Sequence, residues 1–490
     1  MNHAFHTRMN PAGGFRFPQL ALLMFFFPAF VLFSQEDTDG FGFGIEAAES
    51  PVDAAIKING EISARLLVFT NDFDSVEKVQ AMQLGDIFAG RLNFSAAGKT
   101  AEGIIILKIK PDVNDVSPVA IDEAYIRLFL GPVDLEAGLR KLTWGRADSF
   151  GPLDVINPLD FSDLSDMGDP RSIKLARPML HASWNIGSFS KLEGVFIPWF
   201  QGNGYALNGR WAPEQVAGLA SSLTEKLNTA FPLPGMDTAL SAWLAGFELE
   251  DYYDSTSETL QYAQGGLRFT ATLGSSDFGI QYYFGRMPRP AYTVDLNDFV
   301  GLFSVPPLTI DPAKINMDID YNYYHQIGID YAQVIAGFNL RAEVGANITS
   351  DLKGDDGAVY NPHLVWSLGF DRDLIWGINL NLQGNGLVRL MYDKIGFDPL
   401  VIDTEAGKDR SSTRISGILS KKFFRDELEL KATALWGIED RDFFIIPAII
   451  WSKDDVTLEL SAGFFGGDKT GELGQYRDNS YVKTVLSLSL

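Results

Sequence analysis

Cysteine is absent from the 490-residue chain. Its absence excludes disulfides, thiolate metal sites and a lipid anchor built on a cysteine lipobox. Basic side chains are in deficit, with 40 Lys+Arg against 63 Asp+Glu and a formal net charge of −23. Nucleic-acid binding depends on cationic contacts to phosphate, so an excess of this sign argues against it. Histidine is scarce, and beyond residue 34 only His181, His325 and His363 occur. None stands in a Gly-x-Ser-x-Gly, His-Glu-x-x-His or Walker pattern, and the best nucleophile–base pair is His181 with Ser183 on one strand face. No enzyme activity, cofactor or metal is expected. The acidic turn Asp351, Asp355, Asp356 matches no calcium-loop spacing. Long apolar runs are also missing after residue 34: none reaches the ~18 residues of a membrane helix. Soluble export and a barrel of strands remain.

What the chain does have begins at its N-terminus. Residues 1–34 carry Arg8 and Arg16 as their only formal charges, then an apolar run from Phe17 to Phe33, then Ser34 before Gln35-Glu36-Asp37. This is the layout of a secretory signal peptide, with cleavage expected after Ser34. A signal anchor is the alternative. Residues 35–53 then read as a periplasmic segment and residues 54–490 as the folded body. A body of that length exceeds the ~100–200 residues of an ordinary domain, but in a barrel circumference sets chain length.

Period-2 alternation runs through that body. In 56–68, Ile56, Ile58, Ile62, Ala64, Leu66 and Val68 oppose Lys57, Asn59, Glu61, Ser63 and Arg65. In 338–348, Phe338, Leu340, Ala342, Val344 and Ala346 oppose Asn339, Arg341, Glu343 and Asn347. Alternating side chains take opposite faces of a strand. The segments run about 10–14 residues, longer than the ~5–6 typical of soluble strands and matched to the ~9–11 of tilted membrane strands. Eighteen such segments can be drawn, with sixteen left open. Their connections sort by parity. Even ones are tight, such as Gly131-Pro132, Gly187-Ser188, Gly274-Ser275, Asp371-Arg372-Asp373 and Lys453-Asp454; odd ones are mostly long, above all 143–174, 200–259 and 288–319. Short periplasmic turns, long external loops and an even strand number predict an all-β, single transmembrane antiparallel barrel of about 16–18 strands in a Gram-negative outer membrane. Its partners are expected to be outer-membrane lipid and, through the amphipathic final segment 478–490, the barrel-assembly machinery. Tyr282, Tyr283, Tyr321, Tyr323 and Tyr324 are expected to form part of an interfacial aromatic belt.

Loop 143–174 is the most distinctive stretch. It reads Thr143-Trp144-Gly145-Arg146, then Leu153-Asp154-Val155-Ile156-Asn157-Pro158-Leu159-Asp160, and is followed by Arg177-Pro178-Met179-Leu180 and Leu192-Glu193. This order, with Trp144, Gly145, Asn157 and Pro158 at its centre and spanning residues 138–199, resembles a poorly characterised porin-like family of Gram-negative outer-membrane proteins. Genes of that family often lie near resistance-nodulation-division (RND) type exporters. The resemblance implies a barrel linked to envelope transport, with efflux components as possible partners, and names no substrate.

Pro152, Pro158 and Pro170 stiffen the loop. Its charges lead to one expectation: it folds into the lumen as a constriction, facing charges of opposite sign on the wall. A solvated outer loop is the alternative. The pore-lining and constriction candidates are Glu123, Arg127, Asp134, Glu136, Arg140, Arg146, Asp148, Asp154, Asp160, Arg171, Arg341 and Glu343. Loop 200–259 has a helical pattern through Pro213, Val216, Leu219, Leu223 and Leu227, and loop 288–319 holds the oily run Phe299–Val305. These loops either cap one another or form a lid for an apolar solute. The expected function is therefore a porin-like channel for small solutes, its carboxylate surplus hinting at cation preference. The alternatives are a gated transporter for a hydrophobic small molecule and a surface adhesin or structural barrel.

Overall fold

A strand with one oily and one wet face has two unpaired edges, and a sheet of such strands loses its edges only by closing on itself. In the computed structural model, residues 56–73, 75–80, 87–109, 119–148, 150–168, 172–213, 256–257, 259–295, 316–396 and 401–490 are described. The expected signal peptide and periplasmic segment lie outside them.

Eighteen antiparallel strands form one sheet. They are β1 (Ile56–Phe69), β2 (Phe88–Ala97), β3 (Ala101–Ile109), β4 (Val119–Leu130), β5 (Val133–Arg140), β6 (Arg177–Ile186), β7 (Ser190–Ile197), β8 (Gln264–Leu273) and β9 (Ser276–Arg286). After them come β10 (Tyr323–Ile335), β11 (Phe338–Thr349), β12 (His363–Asp373), β13 (Ile378–Arg389), β14 (Ser411–Phe423), β15 (Leu428–Gly437), β16 (Asp442–Lys453), β17 (Val456–Gly467) and β18 (Tyr481–Ser489). Each strand pairs with the next in sequence, and β18 returns to β1 with Phe69 opposite Tyr481 and Glu61 opposite Ser489. The barrel is closed.

The outer face decides the solvent. Ile62 is 51 % exposed, Ile126 58 %, Ile329 51 % and Leu460 48 %, and comparable side chains project from strand after strand. Hydrating a large apolar side chain instead of burying it costs about 1.5–3 kcal/mol. A belt of them is tenable only against lipid. The opposite parity turns Arg65, Arg127, Glu136, His181, Glu193, Arg268, Gln281, Gln326, Asp330, Glu343, Asn347 and Gln383 inward.

At one end every connection is short. Gly131 (φ 71°) and Gly187 (φ 63°) supply the left-handed backbone that two of these turns need. The turn expected at Asp371–Asp373 sits further on, at Leu374–Gly377, because Asp371 and Asp373 still pair with Asn381 and Asn379 across β12–β13. At the other end the connections are long, apart from 438–441.

Two sequence expectations need correction. Only Tyr282, 42 % exposed, and the half-buried Tyr323 lie on the outer face; Tyr283, Tyr321 and Tyr324 are buried inside. Consecutive strand residues alternate faces, so Tyr282-Tyr283 and Tyr323-Tyr324 cannot all reach one belt. His181 does not engage Ser183 but bonds Glu136, with Nδ1 2.7 Å from Oε2.

Candidate functional site

Loop 143–174 enters the lumen, and its neck is tied by one asparagine. Asn157 Oδ1 accepts the Leu142 N–H at 2.8 Å, while Nδ2 donates to the carbonyls of Arg140 (2.9 Å) and Leu175 (2.8 Å). The Pro158 carbonyl accepts the Leu175 N–H at 2.9 Å, so the Asn-Pro pair holds the outgoing and returning chain together. Above the neck, Trp144 and Ile156 are 1 % and 0 % exposed among Leu142, Met179, Val195, Ile197, Tyr283, Met287 and Tyr324. Part of the barrel interior is thus a packed core rather than water. Trp144 fits because residue 266 on the facing wall is glycine; a Cβ there would stand 2.8 Å from the ring.

From Gly145 to Leu153 the chain runs along the wall of β8–β13. The Glu343 carboxylate accepts backbone N–H groups of Arg146, Ala147 (2.8 Å) and Leu153 (3.3 Å), and so caps the segment as a helix N-cap would. Gly145 has φ 86°, and a Cβ there would lie 2.5 Å from Glu343 Oε1. Arg146 Nε donates to Asp330 Oδ1 at 2.7 Å and its Nη1 lies 3.4 Å from Asp277. Arg268 holds the other oxygen of Asp330 at 2.6 Å, and the Asp330 side chain is fully buried. Gln281 and Gln326 donate to the carbonyls of Leu153 (2.8 Å) and Pro152 (3.0 Å). An amide relay continues through Gln326 to Asn347 (2.9 Å) and on to His363 (2.9 Å). Lower down, Asp148 pairs with Arg341 and accepts from Asn381 at 2.7 Å, while Arg341 also bridges Asp371 at 2.5 Å.

The segment 160–168 reaches the opposite side, at β16, β18 and β1. Arg65 bridges Asp163 and Asp166, each at 3.2 Å, and Lys483 bridges Asp166 at 3.1 Å. Tyr481 Oη donates to the Ser165 carbonyl at 2.9 Å. Leu164 and Met167 join an apolar cluster with Phe444, Phe465, Tyr476, Tyr481 and Trp211. Gly168 faces Ile446 of β16. The loop therefore spans the lumen.

The other candidates divide. Arg127 donates to Glu136 (2.6 Å) and Glu102 (3.2 Å), Arg140 pairs with Glu136, and His181 Nε2 lies 3.4 Å from Glu193. These residues form a charge ladder on the wall of β3–β7. Glu123 accepts the Lys141 N–H at 3.1 Å at the loop entrance. Asp134 is half-buried on the inward face near the short-turn end. Asp154 and Asp160 take their direct partners within the loop: Asp154 pairs with Lys174, and Asp160 accepts the Ser162 N–H at 3.0 Å. Short carboxylates in a turn find local donors before distant ones. Arg171 lies outside the described residues. Sequence reasoning missed Asp122, which a β-bulge opposite Ile106 and Leu107 inserts among Lys141 (2.6 Å), Lys108 (3.1 Å) and Arg91 (3.4 Å). A disturbed alternation at Ile121-Asp122-Glu123 was its only trace.

At the loop end of the barrel, the exposed Glu472 pairs with Arg414, whose charge holds its carboxyl down to about 2. Arg389 bridges Glu405 at 2.6 Å, and Ala291–Asp295, Asn316–Asp320 and Val401–Ile402 form a small separate sheet. From loop 200–259, Phe200 packs on Tyr321 with ring centroids 4.7 Å apart, and Trp211 joins the lumen cluster. The helical pattern from Val216 to Leu227 and the oily run Phe299–Val305 lie outside the described residues. Asp351 accepts N–H groups of Lys353, Gly354 and Asp356 as a turn cap.

No family model and no curated relative matches the chain. Solved structures similar to it are outer-membrane barrels. A BenF-like porin from Pseudomonas fluorescens Pf-5 is 10% identical with a TM-score of 0.46, over 89% of this chain and 98% of that one. OccK9 (OpdG) of Pseudomonas aeruginosa is 11% identical at 0.44, over 89% and 98%. The outer membrane channel DcaP of Acinetobacter baumannii is 9% identical at 0.39, over 89% and 97%. Likeness at this level is that of one barrel to another.

Proposed function

We propose that the protein is a porin-like channel of a Gram-negative outer membrane, passing small polar solutes through a lumen narrowed by residues 143–168. One observation carries this reading: a loop stitched by a buried ion pair and a buried carboxylate cap to β8–β13 on one side and by partly exposed ion pairs to β1 and β18 on the other. Solvated charge elsewhere on the inward wall, such as Arg91 at 54% and Lys191 at 41% side-chain exposure, gives a solute polar surface to follow. An apolar route finds less support, since the aromatic cluster at β16–β18 is filled by the loop's own Leu164 and Met167. The inward His181 is held between Glu136 and Glu193 beside Arg140, which supports a place for it in the wall's charge ladder. β18 is proposed as the segment read by the barrel-assembly machinery. A link to envelope exporters rests on the sequence resemblance alone. Planar-bilayer recording of the purified protein tests the channel. Steady ohmic steps support it; a heat-modifiable, correctly inserted barrel that never conducts overturns it.

A further inference from the structure

On the outer wall, at the end bearing the long loops, β15 and β16 leave a groove of about 540 Å³ whose lining includes the 434–436 stretch of β15, Ile438 and Arg441 of the following turn, and Phe443 and Ile445 of β16. Register explains its shape. Ala434 lies beside Gly417 of β14, whereas the next outward pair toward the rim sets Trp436 beside Ile415 and Phe443. Small residues make the floor and large ones the wall. The turn above the groove, residues 438–441, contains three charges, two of them engaged. Glu439 accepts the N–H and hydroxyl of Thr413 at 2.6 and 3.0 Å, and Asp440 lies 3.7 Å from Arg414. Arg441 is exposed, sits in left-handed backbone at φ 51°, and its guanidinium makes no hydrogen bond or ion pair among the described residues. Trp436, 62 % exposed, stands beside it, at the level where interfacial indoles settle.

We propose that this groove seats an acyl chain of an anionic lipid of the outer leaflet, with the lipid phosphate held by Arg441. The groove's floor and walls are apolar side chains of the outward face, and the one cation on its lining, Arg441, stands where that apolar wall ends. A guanidinium fork matches phosphate oxygens in pairs. The inference rests on the outer-membrane reading with the short turns inside. Native mass spectrometry of the full-length protein, offered phosphatidylglycerol or phosphatidylcholine with the same chains, tests it. Wild type should retain phosphatidylglycerol roughly fivefold better, the ratio expected of one cation at a lipid phosphate. Arg441→Gln should bring the ratio to about one by lowering phosphatidylglycerol retention more than phosphatidylcholine retention, and Ala434→Phe, which fills the floor, should lower both. Equal retention by a folded wild-type barrel, or a preference that survives Arg441→Gln, overturns the inference. Should Ala434→Phe fail to fold, the Arg441→Gln comparison decides alone. A chain that never yields a heat-modifiable barrel would instead count against the outer-membrane reading itself.

Discussion

The two ends of loop 143–168 are fastened by different physics. Between Gly145 and Leu153 the two central anchors are buried: Asp330 is fully enclosed between Arg146 and Arg268, and Glu343 is 3 % exposed, while the flanking Asp148 keeps 32 % of its side chain in solvent. Between Asp160 and Gly168 the anchors Asp163 and Asp166 keep 31 % and 39 % of their side chains in contact with solvent. A buried pair that loses one member leaves an uncompensated charge in low dielectric, whereas a half-exposed pair is repaired by water and salt. One leg is therefore fixed when the barrel folds, and the far tip is held more softly. A constriction built this way keeps its position while its edge can yield.

The sharpest way to break that contrast is Asp330→Ala, which strands two arginines. We expect it to lower stability by about 3–5 kcal/mol in urea unfolding followed on heat-modifiable gels. Glu343→Gln comes next. It keeps the shape but turns one acceptor oxygen of a three-way cap into a donor, for an expected loss of about 1.5–3 kcal/mol, with noisier open-channel current. Arg65→Ala acts on the soft tip. Its cost should be about 1 kcal/mol or less, and the difference from wild type should shrink as KCl is raised to about 1 M.

The smallest effect is expected away from the loop, at Glu472. Its folded carboxyl is depressed from 4.5 to about 2, so pairing with Arg414 stabilises the fold above the ordinary carboxylate range. That contribution is lost as pH falls through about 2. Glu472→Gln should therefore differ from wild type at neutral pH and converge with it in strong acid, in a pH series of unfolding midpoints.

Much of this architecture was legible in the residues. The strands follow from period-2 alternation, because lipid on one face and a polar interior on the other demand it, and the pattern slips where a β-bulge intervenes at Asp122. The tight turns announced themselves through Gly131-Pro132 and Gly187-Ser188, and inward charges such as Arg127, Glu136 and Glu343 follow from parity alone. What parity cannot give is the partner. Glu343 reads as a pore-lining charge, yet it caps backbone some 190 positions away in sequence. Asp154 reads as a constriction charge, yet Lys174 within its own loop claims it. Gln281, Gln326 and Asn347 look like ordinary wet-face residues until the loop carbonyls arrive. One overlooked signal was the inward-facing glycine. Gly328 and Gly345 leave room for Leu153, where a Cβ would stand 2.4 and 3.0 Å from its side chain. Glycine inside a strand marks close approach by something else, and here that is the loop.

The central claim is that residues 143–168, pinned to β8–β13, set the size of a water-filled path. Single-channel conductance in planar bilayers tests it most directly, comparing wild type with the double variant Asp330→Ala/Glu343→Gln after heat-modifiability has shown that both are folded. The account predicts ohmic steps in wild type and larger, noisier steps in the variant, as the released leg swings from the wall. Identical step size and noise in the two folded proteins would contradict it.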